Sequence, residues 1–176
     1  MQVGHPFKIA KNGGDEYYTP AYAIQPVKKY LKPNSIIWCP FDTDKSLFVY
    51  ELRKEGHTVI NTHIDNGQDF FTTKVACDYI ISNPPYSMKL DVIKRLFDLG
   101  IPFAMLVGVV GLFDSKSKVE VFKDRKFEVM YLSPRVAYFK DYENPIPISG
   151  IPYQSVYLCS GLLPKQIVFE EINKNA

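Results

Sequence analysis

Four consecutive residues, Asn83-Pro84-Pro85-Tyr86, carry the clearest chemical signature in the chain. Two successive prolines fix φ and remove two backbone N–H donors, so the loop keeps carbonyl acceptors with no local donor to meet. The Asn83 side-chain oxygen and the Pro84 carbonyl then form a pair of neighbouring acceptors. Such a pair suits an exocyclic NH2 group, which has two hydrogens to give. Accepting both pushes electron density onto the nitrogen and aims its lone pair. Tyr86 adds a flat face on which a heteroaromatic ring can stack. The plainer reading of the tetrapeptide is a proline loop with an Asx turn. Its setting, after the apolar run DYIIS at 78–82 and before a helical pattern, favours chemistry.

The elements that must position this loop are legible as alternating patterns. Thr19-Pro20 marks a helix start, a hydroxyl cap followed by proline at the first helical position, and Lys32-Pro33-Asn34 ends that helix. Residues 35–41 (SIIWCPF) form a short apolar run typical of a strand buried on both faces. Asp42 or Thr43 caps a second helix running to Glu55, with Gly56 as its stop. Strands follow at 58–63 and 78–82, then an amphipathic helix at 88–99 closed by Gly100. A central strand at 103–110, a helix at 115–122 and a strand at 127–132 continue the alternation. The pattern predicts an α/β sandwich with a mostly parallel, seven-stranded sheet. Residues 155–159 and 166–172 flank Gly161 and Pro164 without room for a helix, and they read as an antiparallel pair. The proline- and aromatic-rich stretch 134–154 reads as a functional loop. Residues 1–14 read as a flexible arm and 15–176 as a single domain.

Composition narrows the class without naming a partner. The chain of 176 residues is 46% hydrophobic and 23% charged, which supports a packed core and argues against disorder. A net charge of +2 neither demands nor excludes nucleic acid. Aromatic residues make up 14%, enough to serve both a core and a base-stacking site. Cys39, Cys77 and Cys159 are widely spaced and read as reduced thiols of a cytoplasmic protein. His5, His57 and His63 lack ligand spacing, so no metal site is expected. No secretory signal is evident, and the longest apolar stretch is far too short to span a bilayer.

Asn83-Pro84-Pro85-Tyr86 resembles in full the catalytic loop, D/N-P-P-Y/F/W, of the adenine-N6 methyltransferases that use S-adenosyl-L-methionine. The more particular resemblance is to small phage-type adenine methyltransferase domains. It extends over roughly residues 15 to 160 through DEYYTP at 15–20, WCPFDT at 38–43 and DFF at 69–71. The resemblance implies a Rossmann-like three-layer sandwich with a C-terminal antiparallel hairpin. It also implies that Asn83, Pro84, Pro85 and Tyr86 are catalytic, and that an adenine of nucleic acid is flipped out to reach them. DNA is the expected substrate, with RNA as its rival, in a bacterial or phage-infected cell; an oligomer is compatible with so small a domain. Glutamine or cytosine would present the same kind of amine.

The same resemblance assigns cofactor contacts. Tyr18, Thr19 and Pro20 match the motif that packs over the methionine end, and a helix N-terminus there also attracts a carboxylate; an ordinary capped helix has the same look. Pro40, Phe41 and Asp42 stand where the family's first cofactor motif has an acidic residue and then P-F-x-G-x-G. Here Cys39 takes the acidic place and Asp42-Thr43-Asp44-Lys45-Ser46 replaces the glycines, which narrows backbone access. Asp42 then either accepts from the cofactor's ammonium or caps its helix. Asp69 and Phe70 resemble the pair that grips the cofactor adenine, and Asp65, beyond the second strand, is the candidate for the ribose hydroxyls or part of a turn. Arg135, Tyr138 and Phe139 match the region that flanks the target base, against the simpler reading of a packed loop with a solvated charge. Lys116, Lys118, Lys123, Arg125, Lys126 and Lys140 form either a basic rim or a solvated face interrupted by acids. The altered glycine motif leaves a second reading, a nucleic-acid or protein-binding module that no longer holds the cofactor.

Overall fold

The continuous apolar runs need neighbours on both faces, and in a computed structural model of the chain they find them in one seven-stranded mixed sheet. The structure describes residues 17–148 and 154–175; the expected arm, 1–14, lies outside the described residues. In chain order the elements are α1 (Ala21–Lys28), β1 (Ile36–Cys39), α2 (Leu47–Lys54), β2 (Thr58–Asn61), β3 (Tyr79–Ser82), α3 (Lys89–Leu99), β4 (Phe103–Gly108), α4 (Lys116–Phe122), β5 (Glu128–Ser133), β6 (Ser155–Ser160) and β7 (Ile167–Glu171). The sheet order is β2-β1-β3-β4-β6-β5-β7. β1 is parallel to β2 and β3, β3 to β4, and β5 to β7. Only β6 runs against its neighbours, β4 and β5. No helix among the described residues is long and apolar enough to cross a membrane.

The expected C-terminal hairpin takes another form. β6 and β7 run in opposite directions, but β5 lies between them and they do not pair. The cause sits at the first residue of β5. The Glu128 carboxylate accepts from the backbone N–H groups of Gly161, Leu162 and Leu163 at 3.1, 3.2 and 3.3 Å. This holds the connection across the end of β5, so the chain steps over that strand instead of doubling back on β6. Burial agrees, since Val156–Cys159 have no exposed surface and need strands on both sides. β7 is the edge, where Phe169 stays 78% exposed.

Alternation along each strand divides the core into two clusters. Ile37 and Cys39 of β1, with Ala104 and Leu106 of β4, pack under Ile24 and Val27 of α1 and Phe48 and Leu52 of α2. Trp38, Phe103, Met105 and Val107 face the other way, under Val92, Ile93 and Leu96 of α3 and Val121 and Phe122 of α4. Cys39 and Cys159 are buried free thiols, and Cys77 is half-buried and free.

Two helix starts differ from their sequence reading, and both differences bear on function. α1 begins at Ala21, with Pro20 as an extended cap whose ring has no polar atom to offer, while the Thr19 hydroxyl, one residue too early to cap, accepts from Asn83 Nδ2. α2 begins at Leu47 and is capped by Ser46, whose Oγ accepts from the Phe48 N–H at 3.2 Å. Asp42 and Thr43 therefore belong to the turn before α2 and do not cap it. From β1 the chain moves outward through α2 to β2, then returns to place β3 on the other side of β1. The carboxyl ends of β1 and β3 thus diverge at a topological switch point, where open α/β sheets bind ligands.

Candidate active site

Both turns expected to carry chemistry emerge at that switch point. β3 is buried along its length and delivers Ser82 and then Asn83 to the sheet edge. Asn83 Nδ2 donates to the Tyr17 carbonyl at 3.1 Å and to Thr19 Oγ1 at 3.3 Å. A backbone carbonyl only accepts, so this contact fixes which end of the amide points inward. No hydrogen bond to Asn83 Oδ1 or to the Pro84 carbonyl is formed among the described residues. No buried side-chain oxygen or nitrogen among those residues lacks a partner, so Asn83 Oδ1 reaches solvent. After Pro85 a short 3-10 turn, Tyr86–Met88, leads directly into α3. The Tyr86 ring meets Tyr17 edge-on, 5.9 Å between centroids at 86°.

The turn after β1 has the opposite character. Asp42 is buried, and its carboxylate accepts from Ser46 Oγ on one oxygen and from Ser82 Oγ, at 2.5 Å, on the other. Burial pushes its pKa up to about 6, against the pull of the two serines and His63. Asp42 therefore ties the β1 turn to the end of β3 and does not face outward. Pro40 is buried, and the Phe41 ring packs on Phe70 at 4.9 Å.

The segment 17–20 and the loop after β5 close over this edge together. Tyr18 and Phe139 form a backbone bridge, N–H to carbonyl at 2.8 Å one way and 3.3 Å the other. The Tyr18 ring stacks on Tyr142, 4.1 Å apart and 22° from parallel. The Tyr142 hydroxyl reaches Ser46 and the backbone of Leu47 at the start of α2, and burial raises its pKa. Tyr138 is buried with its hydroxyl 2.7 Å from Ser155 Oγ, and Phe139 is buried too, whereas Arg135 is exposed.

The remaining expected cofactor residues are spread more widely. Asp69 Oδ1 accepts from the Phe71 N–H at 2.9 Å and so shapes its own turn. Phe70 is 3% exposed, set between Trp38 and Phe41 with the Arg95 guanidinium 5.4 Å from its centroid. Asp65 lies on a 3-10 turn, Ile64–Asn66, with its side chain 79% exposed and 3.4 Å from His63 Nδ1. The structure thus gathers Thr19, Asn83, Asp42, Tyr18 and Tyr86 around one edge and leaves Asp65 at the periphery.

Four contributors were not singled out as site residues: Tyr17, Ser46, Ser82 and Tyr142. Ser82 and Ser46 had a usable signal, because a carboxylate buried after an apolar strand requires hydroxyl donors close by. Tyr17 acts through its backbone carbonyl, which any residue would supply, so its type gave no clue.

Whether these residues fit a sulfonium cofactor turns on the two helix N-termini at the crevice. α1 has no side-chain cap, and the N–H groups of Ala21 and Tyr22 make no hydrogen bond among the described residues. They suit a carboxylate. The start of α2 is covered by Tyr142. Of the two helix starts, only that of α1 offers open N–H donors to a carboxylate among the described residues. The chain matches no protein-family model and none of the curated proteins.

Proposed function

We propose that this crevice belongs to a Rossmann-like sandwich that uses S-adenosyl-L-methionine to methylate the exocyclic N6 amine of adenine in nucleic acid, DNA before RNA. The observation that carries the reading is the Asn83 amide. Its donors are spent on Tyr17 and Thr19, which leaves Oδ1 as an acceptor beside the Pro84 carbonyl. Two acceptors with no competing donor select an NH2 group and reject a carbonyl or a ring nitrogen in the same place. The switch point between β1 and β3 supports a ligand crevice at that edge.

Thr19, Pro20 and the open N-terminus of α1 would hold the cofactor's carboxylate end, and Phe41 and Asp69 would lie toward its adenine. When bound, the cofactor supplies an electrophilic methyl carbon. Asn83 Oδ1 and the Pro84 carbonyl accept the two amine hydrogens, turning the nitrogen lone pair out of conjugation with the ring and toward that carbon. Tyr86, braced edge-on by Tyr17, clamps the base. The amine becomes acidic only as it gains charge, so positioning and charge stabilisation carry the catalysis and no strong base is needed. An adenine stacked in a duplex is flipped out at a cost of about a few kcal/mol, and a single strand costs less.

Labelled cofactor with separate DNA and RNA pools tests the reaction. Label in DNA adenine is the expected result, and label in RNA alone overturns the substrate. One observation favours the second reading, a binding module without cofactor: Tyr142 stacks on Tyr18 and covers the start of α2. Calorimetry with S-adenosylhomocysteine separates the two, since no heat of binding leaves only the module.

A further inference from the structure

Beside Tyr86, the last residue of the catalytic-loop candidate, a cavity of about 310 Å³ opens between α3 and the turn that follows β4. Its floor is apolar, made by Leu90 and Ile93 of α3 and by Leu112. Tyr86 lines it as well, so the cavity adjoins the acceptor pair. Its rim is cationic. Lys89 Nζ donates to the carbonyls of Gly108 at 3.2 Å and Val110 at 2.7 Å, which leaves one of its three N–H donors. Lys118 Nζ donates to Asp114 Oδ1 at 2.6 Å, across one turn of α4 and its approach.

Gly111 marks where the two ammoniums converge. A Cβ built on it would lie 3.5 Å from Lys118 Nζ and 3.7 Å from Lys89 Nζ, with Asp114 Oδ2 at 3.6 Å. Its φ of 78° also suits glycine. Glycine adds no side chain of its own there, so the two ammoniums and the Asp114 carboxylate of the same turn meet around that point. Two ammoniums that near one point can share a single phosphate, each on its own oxygen. Burial and the Lys118 charge both lower the Lys89 pKa, as expected where two cations face each other across a gap.

We propose that this cavity is a phosphate subsite for the nucleic-acid strand, with Lys89 and Lys118 gripping a phosphodiester next to the adenine held at Asn83 and Tyr86. The proposal rests on the nucleic-acid reading above and adds to it where the backbone runs. A flipped nucleotide carries its flanking phosphates with it, and Tyr86 is shared by both spaces. The apolar floor suits a sugar face. Asp114 is the competitor: it pairs with Lys118, and phosphate must displace it.

Fluorescence anisotropy of the whole chain with a short labelled oligonucleotide, repeated over a salt series, tests this. Lys118→Gln should weaken binding roughly tenfold at low salt and reduce the slope of log K against log salt by about one. Lys165→Gln, the same charge change in the exposed connection between β6 and β7 at the opposite edge of the sheet, should leave the slope as it was. Asp114→Asn should tighten binding roughly threefold, a gain that misfolding cannot imitate. An unchanged slope for Lys118→Gln together with no gain for Asp114→Asn overturns the subsite. If the unaltered chain binds S-adenosylhomocysteine but no oligonucleotide, the nucleic-acid reading and the subsite fall together. If the oligonucleotide is bound and methylated while Lys118→Gln is silent, only the subsite falls.

Discussion

The turns that follow β1 and β3 leave the same sheet edge side by side, yet they are finished with opposite polarity. After β1, Asp42 turns its acceptors inward to the Ser46 and Ser82 hydroxyls. After β3, Asn83 turns its donors inward to Tyr17 and Thr19 and leaves an acceptor outward. Buried hydroxyls and carbonyls decide which half of each polar side chain is consumed, and the unconsumed half is what a ligand meets. One turn is thereby closed on itself and the other keeps an outward acceptor, although both place a polar residue just after an apolar strand.

Removing the outward acceptor should have the largest effect. Asn83→Ala is expected to lower methyl transfer about a hundredfold to a thousandfold, the usual loss for one preorganised polar contact, while S-adenosylhomocysteine binding stays the same. Asn83→Asp is the sharper variant. An aspartate occurs at this place in the family resembled, but here it would set a carboxylate about 3.1 Å from the Tyr17 carbonyl. It should be nearly as inactive as the alanine variant and less stable in thermal melts. Full activity in Asn83→Asp would show that the inward donors do not orient this residue.

The closed turn is broken by Asp42→Asn, read through pH. The folded-state pKa of Asp42, about 6, exceeds its ordinary 3.8, so the native state binds the proton more tightly than the unfolded chain. Its stabilising contribution is complete below about pH 4 and is lost as pH rises through about 6. The size is about 3 kcal/mol, from about two pKa units. Denaturant unfolding of wild type and Asp42→Asn across that window should show wild type losing this much relative to the variant. Parallel profiles would mean that the carboxylate is solvated and the turn is open.

Much of this contrast could be anticipated, and the missing part has a physical reason. Runs such as IIWC and YIIS are apolar without alternation because both of their faces are covered, so the α/β class and the parallel centre of the sheet followed from pattern alone. The 83–86 loop was legible because proline chemistry is local. The inward turn of Asp42 was not, because it depends on Ser82, forty residues away in the chain. The step of the chain over β5 was hidden likewise, since it hangs on Glu128 reaching Gly161, Leu162 and Leu163. Long-range polar contacts leave no period in a sequence.

Ser46 serves both Asp42 and the start of α2, so Ser46→Ala tests whether the closed turn is one unit. Loss of an N-cap costs about 0.5–2 kcal/mol. If the two roles are joined, the variant should also raise the pKa of Asp42, since one of its two hydroxyl donors is gone. The pH midpoint of the stability difference should then move upward. A loss of stability with an unmoved midpoint would assign Ser46 to the helix alone.

The smallest effect concerns where the open crevice anchors a cofactor. Ala21 is the first residue of α1, and its N–H has no partner among the described residues. Proline is tolerated at a first helical position, and Pro20, with ψ of 150°, already has the extended backbone that a following proline requires. Ala21→Pro therefore deletes one donor and keeps the helix. If α1 anchors the carboxylate, S-adenosylhomocysteine affinity should fall roughly fivefold to tenfold, with the melting temperature nearly unchanged. Tyr142→Ala is the matched opposite, because it uncovers α2 and leaves α1 as it is. An affinity unchanged by Ala21→Pro but raised by Tyr142→Ala would move the anchor to α2. The turn after β1, and not the one after β3, would then be the one that meets the ligand.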